Sequence, residues 1–382
     1  MSATALPWLA WMSAACSVYW LSPARFRDLA LIFITTCFLI VHSPESLIVL
    51  SAMTLMCWVF GSSGSLSGRR LLTLAGGIVA VLVIYKLRVG KVNVDVTYEF
   101  VLPLGVSYYS FRCLHYLIER YIDRIPAHDA REFVGYLFFL PTLLVGPIHR
   151  FPTYLRERNR VRWDSAKFAD GLRRILYGYV KIMVLAVYLV SEQLGPWVEA
   201  LEPTNIWLAA YLGMIEGAFY GYLLFAGYSD IAIGFGLVLG IRVMENFNWP
   251  FMRRNITEFW QAWHISLSSW VREYVYMTTV ATTRNAALAA IVSMVVLGLW
   301  HEVSLRYVVW GACHGIAIAV WQLFQRIKPA LIGRGLVFPT WLGAGLATII
   351  TFHFVVLSFV IVIEPDLAAA FAVYRTLLGV GL

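Results

Sequence analysis

Apolar residues recur along the chain in long blocks, separated by short stretches that carry most of the charged side chains. A helix needs about 20 mostly apolar residues to cross a bilayer. Because several blocks are shorter than that, we expect about eleven spans together with some re-entrant or interfacial helices. The predicted apolar segments are 4–21, 28–42, 46–60, 71–87, 99–118, 133–148, 174–191, 206–223, 225–241, 286–300, 304–325 and 339–363, with a weaker one over 367–382. The pattern therefore predicts an all-α, polytopic transmembrane protein.

Composition supports a membrane protein and excludes a soluble enzyme. Hydrophobic types make up 60% of the 382 residues and charged types only 14%, whereas a soluble domain is about 45–50% apolar and about a quarter charged. The longest polar stretch, from Arg150 to Arg173, is too short for a core of its own. We therefore expect residues 1–382 to form a single integral membrane domain.

The net charge of +8 fits cytoplasmic loops, which are enriched in Lys and Arg in membrane proteins. The densest basic stretch, Arg150 to Arg174, is interpreted as a loop on anionic headgroups. No nucleic-acid recognition module accompanies the charge, so nucleic acid is not expected as a partner. The five cysteines contain no Cys-x-x-Cys pair, and no metal site is predicted.

The segment 258–276 is too polar to span a membrane and is rich in Trp, Ser and His. On one continuous helix, Trp260, His264 and Ser268 would share a face, because they are spaced by four residues. This spacing indicates a re-entrant helix that presents a histidine and hydroxyls to a watery cavity. A surface amphipathic helix with Arg272 at the headgroups is an equal alternative.

Three further ionisable residues that bear on function occur beside or within apolar blocks, where such groups are costly. His301 ends the apolar run 286–300, and neutral imidazole is the common general base near pH 7. His314 follows thirteen residues later, on nearly the opposite face if the helix is continuous, so the two would pair only if the helix breaks. Asp230 lies inside an apolar block, and a structural bond to an Arg or a backbone amide is the more frequent fate of such an acid.

Several ordered blocks of the sequence resemble the membrane-bound O-acyltransferase family. They are closest to its bacterial branch of alginate O-acetylation proteins and D-alanyl-teichoic-acid transferases. The likeness covers about residues 100–325. The blocks are FWQAWHISLSSWVREYVY (259–276), LGLWHEVSLRYVVWGACHG (297–315), PTLLVGPIHR (141–150), FAGYSD (225–230) and MENFN (244–248). The chain departs from the branch at Glu302, where a Gly is usual, and this leaves the acceptor open.

The resemblance implies that His301 is the catalytic residue and that His264 is a second functional residue. It also implies a tunnel through which a donor and an acceptor reach His301 from opposite sides. We expect Trp260, Ser268, Trp300 and Asp230 to contact substrate. No permanently bound cofactor or metal is expected. The acyl donor, acetyl-CoA or an acyl-carrier protein, would be a co-substrate on the cytoplasmic side.

The function implied is transfer of an acyl group, acetyl above all, to a hydroxyl of a cell-envelope or secreted polysaccharide. Transfer would be direct or would pass through an extracytoplasmic acetyltransferase or polysaccharide assembly protein, at the bacterial inner membrane. Acylation of a lipid or small metabolite is the alternative within the family. A small-solute transporter that uses Asp230 and Arg242, and a non-catalytic scaffold, are alternatives from other classes.

Overall fold

The computed structural model describes residues 6–61, 66–89, 102–333 and 340–380, and these residues form helices, turns and loops without a β-strand. Six of the described helical stretches are long and apolar enough to cross a membrane. They are Pro44–Gly61, Gly68–Leu87, Ser165–Glu199, Ile206–Val238, Leu305–Ala330 and Leu342–Ile363. The prediction of an all-α, multi-pass membrane protein is confirmed.

The described helices are numbered here in chain order. They are α1 (Leu6–Leu21), α2 (Arg27–His42), α3 (Pro44–Gly61), α4 (Gly68–Val89), α5 (Leu102–Tyr121), α6 (Ala130–Leu137), α7 (Phe151–Asn159), α8 (Ser165–Tyr179), α9 (Gly195–Glu199), α10 (Ile206–Val238), α11 (Ile256–Ala262), α12 (Ile265–Val271), α13 (Met277–Thr283), α14 (Ala286–His301), α15 (Leu305–Gly333), α16 (Thr340–Ile363) and α17 (Leu367–Leu377). Two stretches with the wider i→i+5 hydrogen bonding, Val180–Leu194 and Arg272–Tyr276, join α8 to α9 and α12 to α13.

Some apolar blocks fold differently from the sequence prediction. The block 133–148 is not a span: α6 ends at Leu137, and a short 3₁₀ turn follows at Leu140–Thr142. Pro141 and Pro147 lack the N–H that a helix needs, so this block ends as a loop. The blocks 206–223 and 225–241 form one 33-residue helix, α10. Helix α14 has 16 residues, which is about 24 Å and less than the roughly 30 Å of a bilayer core.

The described chain divides into two compact units, each of which has most of its contacts within itself. The first comprises Met1–Tyr179 with Gly227–Glu245, and the second comprises Val180–Ala226 with Asn246–Leu382. The prediction of one domain over 1–382 stays a prediction.

Buried charged groups organise the first unit. Arg158 bridges α2 and α6, because its Nε lies 2.9 Å from Oδ2 of the buried Asp28 and its Nη1 lies 2.9 Å from Oε1 of Glu132. Arg112 is fully buried and donates to the carbonyl and hydroxyl of Thr142, in the turn after α6. The last carbonyls of a helix and turn carry partial negative charge, so a cation stabilises them. These contacts fix the loop that carries the 141–150 block.

The second unit contains a tight antiparallel pair, α14 and α15. A Cβ added to Gly298 would lie 2.2 Å from the Tyr307 carbonyl oxygen, and one added to Gly311 would lie 2.4 Å from the Met294 carbonyl oxygen. Only glycine allows two helix backbones to approach so closely. This contact sets the positions of the aromatic side chains near the end of α14.

Candidate active site

His301 is the last residue of α14, and its imidazole is exposed. The helix stops there because Glu302 is extended, with a φ of −153°. Three aromatic rings contact the imidazole: Trp300 with centroids 4.6 Å apart, Tyr307 at 5.7 Å and nearly parallel, and Trp310 at 5.8 Å and perpendicular. The ring is therefore held by aromatic contacts and is accessible to a reactant, and a general base needs that access.

The helix break after His301 changes the relation between His301 and His314. On one continuous helix they would point to nearly opposite sides, but α14 and α15 are separate helices joined at Glu302–Ser304. Both imidazoles consequently contact the same indole, Trp310, with centroids 5.8 Å and 4.9 Å away.

The Glu302 carboxylate is bound by a cation. Its Oε2 accepts a hydrogen bond from Arg306 Nη2 at 2.7 Å, and Arg306 also donates to the carbonyl of Glu364. Glu302, which stands where a glycine is usual, therefore pairs with Arg306 four residues later.

His264 lies at a break in the segment that the sequence suggested is one helix. Helix α11 ends at Ala262, and α12 begins at Ile265. His264 has a φ of +43°, in the left-handed region. The expectation that Trp260, His264 and Ser268 share one continuous helix face is wrong, because the backbone leaves the helical conformation at His264.

Asn246 and its neighbour Asn248 hold the break from another part of the chain. The Ile265 N–H donates to the Asn246 carbonyl at 2.9 Å, and the Ser266 hydroxyl donates to Asn246 Oδ1 at 2.7 Å. The Asn248 N–H donates to the Ala262 carbonyl at 2.9 Å. A left-handed non-glycine residue costs of order 1–3 kcal/mol and persists where surrounding bonds over-determine it. The MENFN block (244–248) therefore stabilises the backbone break at His264.

The His264 imidazole is almost fully buried, at 2% exposure. It packs edge-on against Phe225 at 4.7 Å and lies 6.0 Å from the Trp300 ring. Burial lowers the pKa of His264 well below its usual value, and charge on His301 lowers that pKa further. His264 is therefore neutral near pH 7, and Trp300 contacts both His264 and His301.

His314 is a third histidine of the site, with a defined hydrogen-bond direction. The Trp260 indole N–H donates to His314 Nδ1 at 3.2 Å. An indole nitrogen can only donate, so Nε2 carries the proton and donates to the Ser358 hydroxyl at 2.8 Å. Ser358 in turn donates to the Val355 carbonyl at 2.6 Å. This series of hydrogen bonds begins on α16 and orients the Trp260 indole.

Trp260 and Ser268 line one cavity of about 350 Å³ in the second unit. The Ser268 hydroxyl donates to the Trp263 carbonyl at 2.8 Å, across the break at His264. His301 and His264 are not among the residues that line this cavity. The predicted tunnel to His301 stays a prediction.

Asp230 belongs to the first unit. It is buried in α10, and Arg174 Nε donates to its Oδ1 at 2.8 Å. Arg174 also binds Glu245. The ion pair accounts for a buried carboxylate without a substrate, and the predicted substrate contact of Asp230 stays a prediction.

The second unit therefore collects five of the six residues predicted from sequence. These are His301, His264, Trp300, Trp260 and Ser268. The sequence reasoning missed His314, Trp310, Tyr307 and Asn246 as parts of the site. All four lie inside the quoted motif blocks, which was the signal available. Among the described residues, no three His, Cys, Asp or Glu side chains are grouped to hold a metal ion.

Comparison with known proteins agrees with the motif resemblance. The sequence model of the membrane-bound O-acyltransferase family matches residues 71–353. The chain is 32% identical to the probable alginate O-acetylase of Pseudomonas aeruginosa over 95% of its length and 72% of that protein. It is 34% identical to the probable alginate O-acetylase of Azotobacter vinelandii over 79% of the chain and 65% of that protein. It is 29% identical to the teichoic acid D-alanyltransferase of Bacillus subtilis over 68% of each protein. The chain thus spans about two thirds of the length of these relatives.

Proposed function

The chain belongs to the membrane-bound O-acyltransferase family, and on that premise we propose that it acylates a hydroxyl of a cell-envelope or secreted polysaccharide, with His301 as the general base. Acetyl is the proposed acyl group, because both similar Pseudomonas and Azotobacter relatives are named alginate O-acetylases. The observation that carries the role of His301 is its exposed imidazole, held by three aromatic rings at the end of α14.

The proposed reaction needs one proton transfer in each direction. His301 accepts the proton of the acceptor hydroxyl as the oxygen forms a bond to the acyl carbon of a thioester donor. The tetrahedral oxyanion then collapses, the carbon–sulfur bond breaks, and the imidazolium returns the proton to the departing thiolate. The products are an ester and a free thiol, so no oxidant or reductant is required.

His264 is proposed to assist without exchanging a proton. A buried neutral imidazole can donate a hydrogen bond to a developing oxyanion, and such donors contribute most where water is excluded. Trp300 contacts both histidine rings, so it would pack against an acyl group that is bound beside them. Trp260 and Ser268 would contact the substrate from the cavity that they line.

The membrane setting of the reaction is proposed as follows. The donor, acetyl-CoA or an acetylated carrier protein, arrives from the cytoplasmic side of a bacterial inner membrane. The acceptor is reached on the other side, directly or through an extracytoplasmic acetyltransferase or polysaccharide assembly protein. The arrangement suits a family whose named relatives modify envelope and secreted polymers.

The test uses cells that express the wild type, His301→Ala or His353→Ala. His353 is a matched control, because it is a histidine of the same unit that bonds Tyr211 at 2.8 Å and was not placed at the site. Mass spectrometry of the envelope and secreted glycans should show an acyl ester that is lost in His301→Ala and retained in His353→Ala, at equal protein levels in the membrane. Wild-type acylation in His301→Ala would refute the assignment. A label found only in the lipid fraction would favour the lipid acyltransferase alternative.

A further inference from the structure

The cavity beside Trp260 has the chemistry of a lipid site. Its walls come from α11, α12, α14 and α15, and most of the lining is apolar. The apolar lining side chains are those of Trp260, Ile265, Val271, Ala290, Met294, Leu297 and Ile318. A cavity of about 350 Å³ is within the size of small-molecule sites, and an aliphatic chain would bury apolar surface there.

Two hydroxyls on the cavity lining have no hydrogen-bond partner within the described residues. Ser293 Oγ belongs to a side chain with 5% exposure, and Thr257 Oγ1 is likewise shielded. Leaving a buried hydroxyl without a partner costs about 1–3 kcal/mol. Both oxygens are shielded from the cavity space as well, so any polar selectivity for a ligand must come from the charged side chain at its edge.

Among the described residues that line the cavity, Arg272 is the only charged one. It is exposed, and within the described parts of the chain it forms no ion pair with a carboxylate. A free guanidinium beside an apolar cavity suits an anionic group joined to a hydrocarbon chain. Phosphate is the anion that lipids supply in a membrane.

We propose that this cavity binds a phosphate-bearing lipid, with the aliphatic chain against α14 and the phosphate at Arg272. The lining residues of α14, namely Ala290, Ser293, Met294 and Leu297, form one helical stripe. His301 continues that stripe four residues beyond Leu297, which is about 6 Å along the axis. The bound lipid is therefore a near neighbour of His301. Its binding is a property of the cavity that does not depend on acyl transfer.

The binding test uses the purified full chain in nanodiscs with a phosphatidylglycerol that carries a photoreactive diazirine in its acyl chain. A diacylglycerol with the same chain is the uncharged comparison. After illumination, peptide mass spectrometry should place the label on the cavity residues of α14 and α15, with phosphatidylglycerol labelling about fivefold more than diacylglycerol. That ratio is the effect of roughly one basic residue at a lipid surface.

Matched variants test the phosphate contact and the apolar part of the cavity separately. Arg272→Gln should abolish the preference for phosphate, and Arg254→Gln, at another exposed arginine outside the lining, should keep it. Ile318→Trp should fill the cavity and remove the label, whereas Val320→Trp, at a position with 59% exposure on the same helix, should not.

Two results would overturn the proposal. One is equal labelling by the two lipids in the wild type, and the other is equal labelling of Ile318→Trp and Val320→Trp. Competition then identifies the source of the lipid: displacement by bulk phospholipid assigns a structural lipid, and selective displacement by a polyprenyl phosphate assigns a lipid-linked substrate. His301→Ala should bind the probe like the wild type, so a failure of the catalytic assignment leaves this test intact.

Discussion

Gly311→Ala should impair acyl transfer by separating α14 from α15. The added Cβ would lie 2.4 Å from the Met294 carbonyl oxygen and 2.8 Å from its carbon, whereas ordinary contacts of a Cβ begin near 3.4 Å. Both contacts are to backbone, so no side chain can rotate away. The helices must move apart by about 1 Å.

The magnitude follows from the two opposing effects of the methyl group. Overpacking typically costs about 1–3 kcal/mol, while replacing a helical glycine by alanine returns about 1 kcal/mol. We therefore expect a net loss of at most about 2 kcal/mol in unfolding free energy. The shift acts between His301 on α14 and Trp310 on α15, whose rings are 5.8 Å apart. A misplacement of about 1 Å can cost roughly 10²-fold in rate.

Gly345→Ala is the control, because no atom of the described residues lies within 4 Å of the Cβ that it would add to α16. It should leave transfer unchanged and keep or slightly raise the unfolding temperature. The assay measures acyl ester on glycan together with thermal unfolding of the purified protein. Wild-type transfer and unfolding temperature in Gly311→Ala would refute the reasoning that backbone contact between these helices positions the site.

Three further predictions address other contacts. Lowering the pH from about 7.5 to 5.5 should reduce the unfolding temperature, because His264 stays neutral when folded but takes up a proton near pH 6.5 when unfolded. In His264→Asn, where asparagine tolerates the left-handed backbone, the unfolding temperature should depend less steeply on pH. The same pH dependence in the variant and the wild type would show that His264 is not its source. Arg158→Met should lower the free energy of unfolding, measured by chemical denaturation, by about 3 kcal/mol, since the buried Asp28 loses its partner. Arg156→Met, at an exposed position, should lower it by under 0.5 kcal/mol. Ser358→Ala should cost about 1 kcal/mol and lower transfer through the loosened His314 and Trp260, whereas transfer at the wild-type rate would show that this chain is structural only.

Most of the helical content could be read from hydropathy, because a spanning helix satisfies all its backbone hydrogen bonds within itself. The block 286–300 corresponds to α14, and 339–363 corresponds to α16, each within one residue at its described ends. The block 133–148 failed because its prolines outweigh its apolar composition. The blocks 206–223 and 225–241 merged because glycine and tyrosine near 227 weaken a helix without ending it.

The residues of the candidate site were selected by motif likeness, and their roles stay predictions. Motif likeness picked out His301, His264, Trp260, Ser268 and Trp300, and the fold places all five in one unit. Spacing along an unbroken helix gave the wrong geometry at His264, and the relation between His301 and His314 depended on whether the helix breaks between them. In both places the backbone leaves the helix.

Local composition and motif order were enough to establish an all-helical membrane protein of the acyltransferase family, since helix formation in a bilayer depends on residues close in sequence. The break at His264 depends on hydrogen bonds to Asn246, about twenty residues away, and the shared contact with Trp310 depends on glycines that let two helices touch. The Arg272 guanidinium can form part of a binding site only because four helices build a cavity beside it. Such features arise from contacts between distant segments, and periodicity along one segment carries no information about them.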